Sequence, residues 1–191
     1  MKRAVYSSVI FLSVMILITG ILYPLLITGI ATIVFPHKAA GSLVTSKGKY
    51  IGSELIGQSF SSNSYFWPRP SATNYNPLPS SGSNLGLLNP LLEKQVHDRD
   101  SVFRKMNLLS PGVVIPAGML TASGSGLDPD ISPAEAYLQL DRIAASRGFD
   151  ASKREKVLEL IRDLTDHPHF LIFGEARINV FLLNLNLDSI K

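Results

Sequence analysis

An α+β architecture is predicted for this chain: a single N-terminal transmembrane helix, then one small mixed α/β domain on the extracytoplasmic side. Three observations carry it. Between Arg3 and His37 lie 33 residues without a formal charge, mostly Val, Ile and Leu. After them come short strand-like segments broken by turn residues. Further on, three stretches read as helix starts: Asn89-Pro90, Ser132-Pro133 and Asp150.

The apolar run is far longer than the ~20 residues that span a bilayer, and at ~1.5 Å per residue it would form a ~50 Å helix against a ~30 Å hydrocarbon core. It therefore has to tilt, bend or project. A cleaved signal peptide is the alternative, but its apolar core is typically about 7 to 15 residues, and Lys38-Ala39-Ala40 is a poor cleavage site. The expected organisation is a cytoplasmic N-terminus at residues 1–4, a transmembrane helix at 5–36 and a domain at 37–191. Lys2 and Arg3 favour this orientation, although Lys38, Lys47 and Lys49 follow on the far side. Pro24 removes a backbone hydrogen bond near the middle of the run and supplies a bend. Gly20, Pro24, Thr28 and Thr32 recur every four residues, a stripe of small residues against which another helix can pack closely.

Only Lys2 and Arg3 of the 18 basic residues precede Pro36, and all 15 acidic residues follow it, so the domain carries a net charge near +1. That balance gives no basic face for phosphate neutralisation and excludes a nucleic-acid partner. With no cysteine, disulfides and thiolate chemistry are excluded together.

Leu43-Val44-Thr45 and Tyr50-Ile51 read as a hairpin around Ser46-Lys47-Gly48-Lys49, and Glu54 to Gln58 as a second turn. In residues 61–90, Ser, Asn, Pro and Gly fill 19 of 30 positions, with Arg69 the sole charge. Tyr65, Phe66, Trp67 and Tyr75 need packing partners, so this is expected to be an ordered loop lying on the domain or on a partner. A helix is expected from Asn89-Pro90 to about Met106, with Leu92, Val96 and Phe103 as its apolar stripe. Two short strands are expected at Val113-Val114-Ile115 and Met119-Leu120-Thr121. A capping box at Ser132-Pro133-Ala134-Glu135 starts a helix that stops at Gly148, and another follows Asp150 with Val157, Leu158, Ile161 and Leu164 on one face. Ile178 to Leu187 suits helix better than strand.

Ser123-Gly124-Ser125-Gly126 invites a nucleophilic serine or a phosphate loop, yet neither motif is complete. The flanking glycines of a hydrolase elbow are absent, and so is the Gly-Lys-Ser/Thr end of a phosphate loop. The favoured reading is a structural turn. Asp128 and Asp130 flank a proline before a helix start, where carboxylates are favourable without catalysis. His167-Pro168-His169 lacks further metal ligands and reads as a surface turn. Arg69, beside Trp67, suits an interface through stacking and forked hydrogen bonds.

The residues also carry a resemblance. Tyr23-Pro24-Leu25, Gly52 to Gln58, Tyr65-Phe66-Trp67-Pro68-Arg69-Pro70-Ser71-Ala72, Gly82 to Gly86 with Asn89-Pro90, Thr121 to Ser132 and Asn179 to Asp188 occur in order over nearly the whole chain. Together they resemble the KdpC family, the small subunits of bacterial KdpFABC potassium-transporting ATPases. The resemblance implies a single-pass inner-membrane subunit without an active site of its own, its domain outside. It implies assembly with KdpA, KdpB and KdpF in contact with membrane lipid, no cofactor of its own, and ATP and potassium handled by the partner subunits. Trp67, Arg69, Ser71, Asn84 and Asn89 are the partner contacts it suggests. Family members are described as catalytic chaperones that raise the ATP affinity of KdpB, and Ser123, Gly124, Ser125 and Gly126 are likened to a nucleotide-contacting signature. An extracytoplasmic domain would hold that loop away from cytosolic ATP. Gly118 departs from the acidic residue expected after Pro116-Ala117. The alternatives are a membrane-anchored hydrolase using Ser123 or Ser125 and an anchored ligand-binding domain.

Overall fold

The computed structural model describes residues 2–46, 48–168, 170 and 172–190. It divides into two compact units, residues 1–53 and 54–191.

The first unit is dominated by a helical rod of 33 residues, Lys2–Val34, long and apolar enough to cross a membrane, with no buried residue. It consists of α1 (Lys2–Met15), a wide π-helical stretch (Ile16–Leu22) and α2 (Tyr23–Val34). The π stretch answers Pro24. The ladder widens ahead of the proline, and the Tyr23 N–H reaches Ile18 O five residues back. The Thr19 hydroxyl donates to Met15 O at 2.7 Å. After α3 (Pro36–Ala39) the chain turns at Gly41 and Ser42, both at positive φ, into the expected hairpin. There β1 (Leu43–Ser46) pairs antiparallel with β2 (Lys49–Ser53), Ser46 opposite Lys49, with a bulge between Val44 and Thr45. Lys47 lies outside the described residues.

In the second unit, the helix starts are those the local chemistry dictates. Asn89 caps α4 (Pro90–Asn107) by accepting from Leu91 N, with proline in the first turn. Ser132 and Glu135 form a complete capping box on α6 (Pro133–Arg147), which ends at Gly148 with φ 62°. Asp150 caps α7 (Ala151–Asp163). Ala136, Leu140 and Ile143 of α6 meet Val157 and Ile161 of α7 and Leu183 and Leu187 of α8 (Val180–Leu187) in one buried cluster, to which α4 adds Phe103. Leu92 and Val96 of the expected α4 stripe are only half buried.

Two expectations are corrected. Val113–Ile115 forms no strand, and Ala117–Leu120 is a short helix, α5, for which Pro116 is the N-cap. Three β-prone residues without a partner strand cannot pair their backbone, so local propensity gives way to tertiary context. Ile178 to Leu187 divides: Ile178–Asn179 is strand β4, antiparallel to β3 (Asp130–Ile131), and α8 follows at once, capped by Asn179.

Candidate functional site

The loop of residues 61–89 does lie on the domain, held in a way that periodicity could not reveal. Phe66 is fully buried, yet no strand runs beside it. Its N–H donates to Asn184 Oδ1 at 2.8 Å, and its carbonyl accepts from Asn184 Nδ2 at 2.9 Å. Trp67 is clamped in the same way by Gln139, N–H to Oε1 at 2.7 Å and Nε2 to the carbonyl at 3.1 Å. Two side-chain amides, one from α8 and one from α6, thus replace a neighbouring strand for two consecutive residues.

Arg142 completes the clamp. Its guanidinium carbon lies 4.2 Å from the centroid of the Trp67 ring. Its Nε donates to Asn107 Oδ1, its Nη2 to Gln139 Oε1, and its Nη1 to the carbonyls of Ser62 and Asn63. Among the described residues no carboxylate pairs with it, and burial pushes its pKa down to about 10, so it stays charged at neutral pH. The stacking expected of Arg69 belongs to Arg142. Arg69 instead pairs with Asp128, Nη1 to Oδ2 at 2.7 Å, and its carbonyl accepts from the Tyr75 hydroxyl, whose pKa burial raises to about 12.

The other suggested contact residues fall into different settings. Ser71 Oγ accepts from the backbone of Thr73 and Tyr75, and the Asn89 side chain is engaged as a helix cap. Asn84 is exposed at positive φ. Trp67 lines an apolar groove of about 300 Å³ with Pro68, Pro70, Val102, Phe103 and Met119.

The loop from Ser123 to Gly126 is folded into the same region. The Ser123 N–H donates to Pro70 O, Gly126 N–H to Ser123 O, and Leu127 N–H to Ser125 Oγ. Ser80 Oγ donates to Ser125 O. Ser123 is buried, and Gly126, at φ 71°, has no space for a side chain: a Cβ there would stand 2.7 Å from Thr73 Oγ1 and 2.8 Å from Ser81 O. Three amides that could cradle an anion are therefore bonded within the chain, an arrangement that suits a brace between segments.

Beside it opens a cavity of about 520 Å³, whose lining includes Arg69, Asp128, Asp130, Glu135, Glu175 and Arg177. Glu135 Oε2 accepts from Ser132 N at 2.7 Å, and Arg177 Nε stands 3.2 Å from Asp130. Gly118 also lines it, and any side chain at that position would run into the Glu135 carboxylate. An acidic residue there would bring two like charges together. The cavity offers charge and hydrogen bonds of both signs, and among the described residues no group of three His, Asp or Glu is placed to hold a metal. His167 is exposed, and His169 lies outside the described residues.

Burial raises the pKa of Asp130, with the neighbouring Asp128 charge adding to it and Arg177 opposing. A carboxyl with a raised folded pKa contributes stability at low pH that is lost as pH rises through the folded value. Asp130→Asn should remove that part of the pH dependence, so its advantage over the parent should grow between acid and neutral pH in thermal melts. A constant difference across the range would contradict the assignment.

Of the small-residue stripe in the rod, Thr28 and Thr32 are joined by a bond from the Thr32 hydroxyl to Thr28 O at 2.7 Å. Gly20 lies inside the π stretch, and Pro24 is the second residue of α2, which follows it.

The family profile described as "KdpC: K+-transporting ATPase, c chain" matches residues 5–189. Curated relatives agree along the full length. The chain is 45% identical over 196 residues to the potassium-transporting ATPase KdpC subunit of Polaromonas naphthalenivorans, covering 100% of this chain and 97% of the relative. It is 46% identical to that of Photorhabdus laumondii, over 96% and 95%, and 47% identical to that of Serratia proteamaculans, over 96% and 97%. The clamped Phe66-Trp67 segment, the braced serine–glycine loop and all but the first three residues of the N-terminal rod lie within the matched span, and the chain belongs to the KdpC family.

Proposed function

We propose that the chain is a non-catalytic accessory subunit of a potassium-transporting ATPase, anchored by its single apolar helix with the domain outside the cytoplasm. It stabilises the assembly of KdpA, KdpB and KdpF and assists the subunit that hydrolyses ATP, without an active site of its own. The observation that carries the reading is the family match over residues 5–189, which includes the anchor as well as the domain. Physical features agree with it. The rod has no buried residue of its own, so its packing partners in a bilayer are other helices or lipid. Asn184, Gln139 and Arg142 hold one loop in place, as suits a surface that docks against another protein.

Nucleotide contact through Ser123 to Gly126 fits this reading poorly. The amides of Ser123, Gly126 and the following Leu127 are bonded internally, and an extracytoplasmic position keeps the loop from cytosolic ATP. A Ser123 or Ser125 hydrolase is disfavoured on geometry too, since Ser123 is buried and Ser125 Oγ caps its own turn.

Purification from native membranes in mild detergent tests the proposal. The full chain should elute with the other pump subunits, and a reporter fused to its C-terminus should be active only outside the cytosol. A chain recovered alone, or a reporter active inside, would refute it.

A further inference from the structure

The apolar rod contains a backbone acceptor that its own ladder does not serve. In the π stretch the Tyr23 N–H bonds Ile18 O, and the next bond in that register would run from residue 24 to the Thr19 carbonyl. Residue 24 is proline and has no N–H. Leu25 is six residues beyond Thr19, past the reach of either the α or the π register. In this register the vacancy falls on the Thr19 carbonyl. Hydroxyls do not fill it. Thr19 Oγ1 bonds Met15 O, Ser13 Oγ bonds Val9 O, and Thr32 Oγ1 bonds Thr28 O.

Depth makes the vacancy matter. Thr19 stands next to the midpoint of the rod Lys2–Val34, where no water replaces the missing donor. Gly20 follows it, and a Cβ added there would meet nothing closer than Ile16 Cγ2 at 3.9 Å, so a second helix can approach the backbone at this level.

We infer that the Thr19 carbonyl accepts a hydrogen bond from a side-chain hydroxyl or amide on a transmembrane helix of another pump subunit, with Gly20 permitting the close approach. The inference rests on the proposed anchoring within the complex and adds the atom through which the anchor is recognised. Small residues alone mark only where a helix could pack. The unserved carbonyl states what the partner must bring.

A pair of nearly isosteric substitutions tests it in the intact pump. Tyr23→Thr places a hydroxyl four residues after Thr19, the spacing at which Thr19 bonds Met15 O and Thr32 bonds Thr28 O. It supplies the donor from within the chain and leaves Pro24 in place. Tyr23→Val has the same shape without the hydroxyl. The Thr variant is expected to be lost from detergent-solubilised pump about fivefold faster than the Val variant, the scale of one hydrogen bond between membrane helices. Equal loss rates would overturn the inference.

A second readout addresses the carbonyl directly. Thr19-Gly20 and Thr28-Gly29 are the Thr-Gly pairs in the sequence, so a chain carrying carbonyl-¹³C threonine and ¹⁵N glycine isolates two carbonyl signals. Thr28, bonded by Thr32, is the reference. In the reassembled pump the Thr19 signal should move toward that of Thr28 relative to the chain alone in lipid, and an unchanged signal would overturn the inference. If the parent chain fails to join the pump at all, the proposed function falls first, so the two failures are distinguishable.

Discussion

Arg142→Met is expected to destabilise the domain by about 3 kcal/mol, the largest effect of any single replacement considered for this chain. The side chain is 4% exposed and serves Asn107 Oδ1, Gln139 Oε1 and the carbonyls of Ser62 and Asn63, while covering the Trp67 ring. Methionine fills much of the volume but leaves the buried Asn107 Oδ1 without this donor and the Asn63 carbonyl without its 2.6 Å bond, while Gln139 Oε1 and the Ser62 carbonyl keep Trp67 as a donor. A buried acceptor stripped of its partner costs ~1–3 kcal/mol, and the lost ring contact adds to it. Arg142→Lys keeps the charge yet cannot reach four acceptors with a planar fork, so it should rescue little. Trp67 is the sole tryptophan, so its fluorescence during denaturation of the full chain reports this site without labelling. A loss under ~1 kcal/mol for the Met variant would mean that water replaces the guanidinium at no cost, contrary to its burial.

Asn184→Leu should come next, at ~2–3 kcal/mol. Leucine matches asparagine in size and raises local hydrophobicity, so a simple area argument predicts a gain. The geometry predicts the opposite, because the Phe66 N–H and carbonyl are both buried and both lose their partner. Asn184→Asp separates the two halves of the clamp. It keeps an acceptor for the N–H but turns a charge toward the Phe66 carbonyl, and should be no better than leucine. Denaturant melts of the two variants beside the parent decide it, and a stabilised Leu variant would show that the clamp contributes nothing.

The contrast between what could and could not be read from sequence follows from the range of the forces involved. Asn89-Pro90, the Ser132–Glu135 box, Gly148 and Asp150 act over three or four residues, and each appears where the sequence placed it. The transmembrane rod was equally legible because length and apolarity suffice. The clamp was not. Gln139 and Arg142 lie three apart on α6, a spacing that reads as an ordinary polar face, and only the partner loop 72 residues upstream makes that face an interior one. Asn184 gave a faint sign as a polar residue within an apolar run, but whether that run was helix or strand was ambiguous, and it proved to be both. Val113 to Thr121 misled because a few β-prone residues say nothing about whether a neighbouring strand exists. The widening of the rod ahead of Pro24 is legible only in hindsight, since proline tells that a bond is lost and not how the ladder rearranges.

The amide clamp also dictates the timing of biosynthesis. Phe66 waits for Asn184, which the ribosome adds 118 residues later, so the membrane anchor is made long before the centre of the domain can close. Until the final helix emerges, a proline-rich segment with a single charge stays open while tethered. A nascent chain stopped a dozen residues short would be inserted yet unfinished, exposing Phe66 to quality-control proteases.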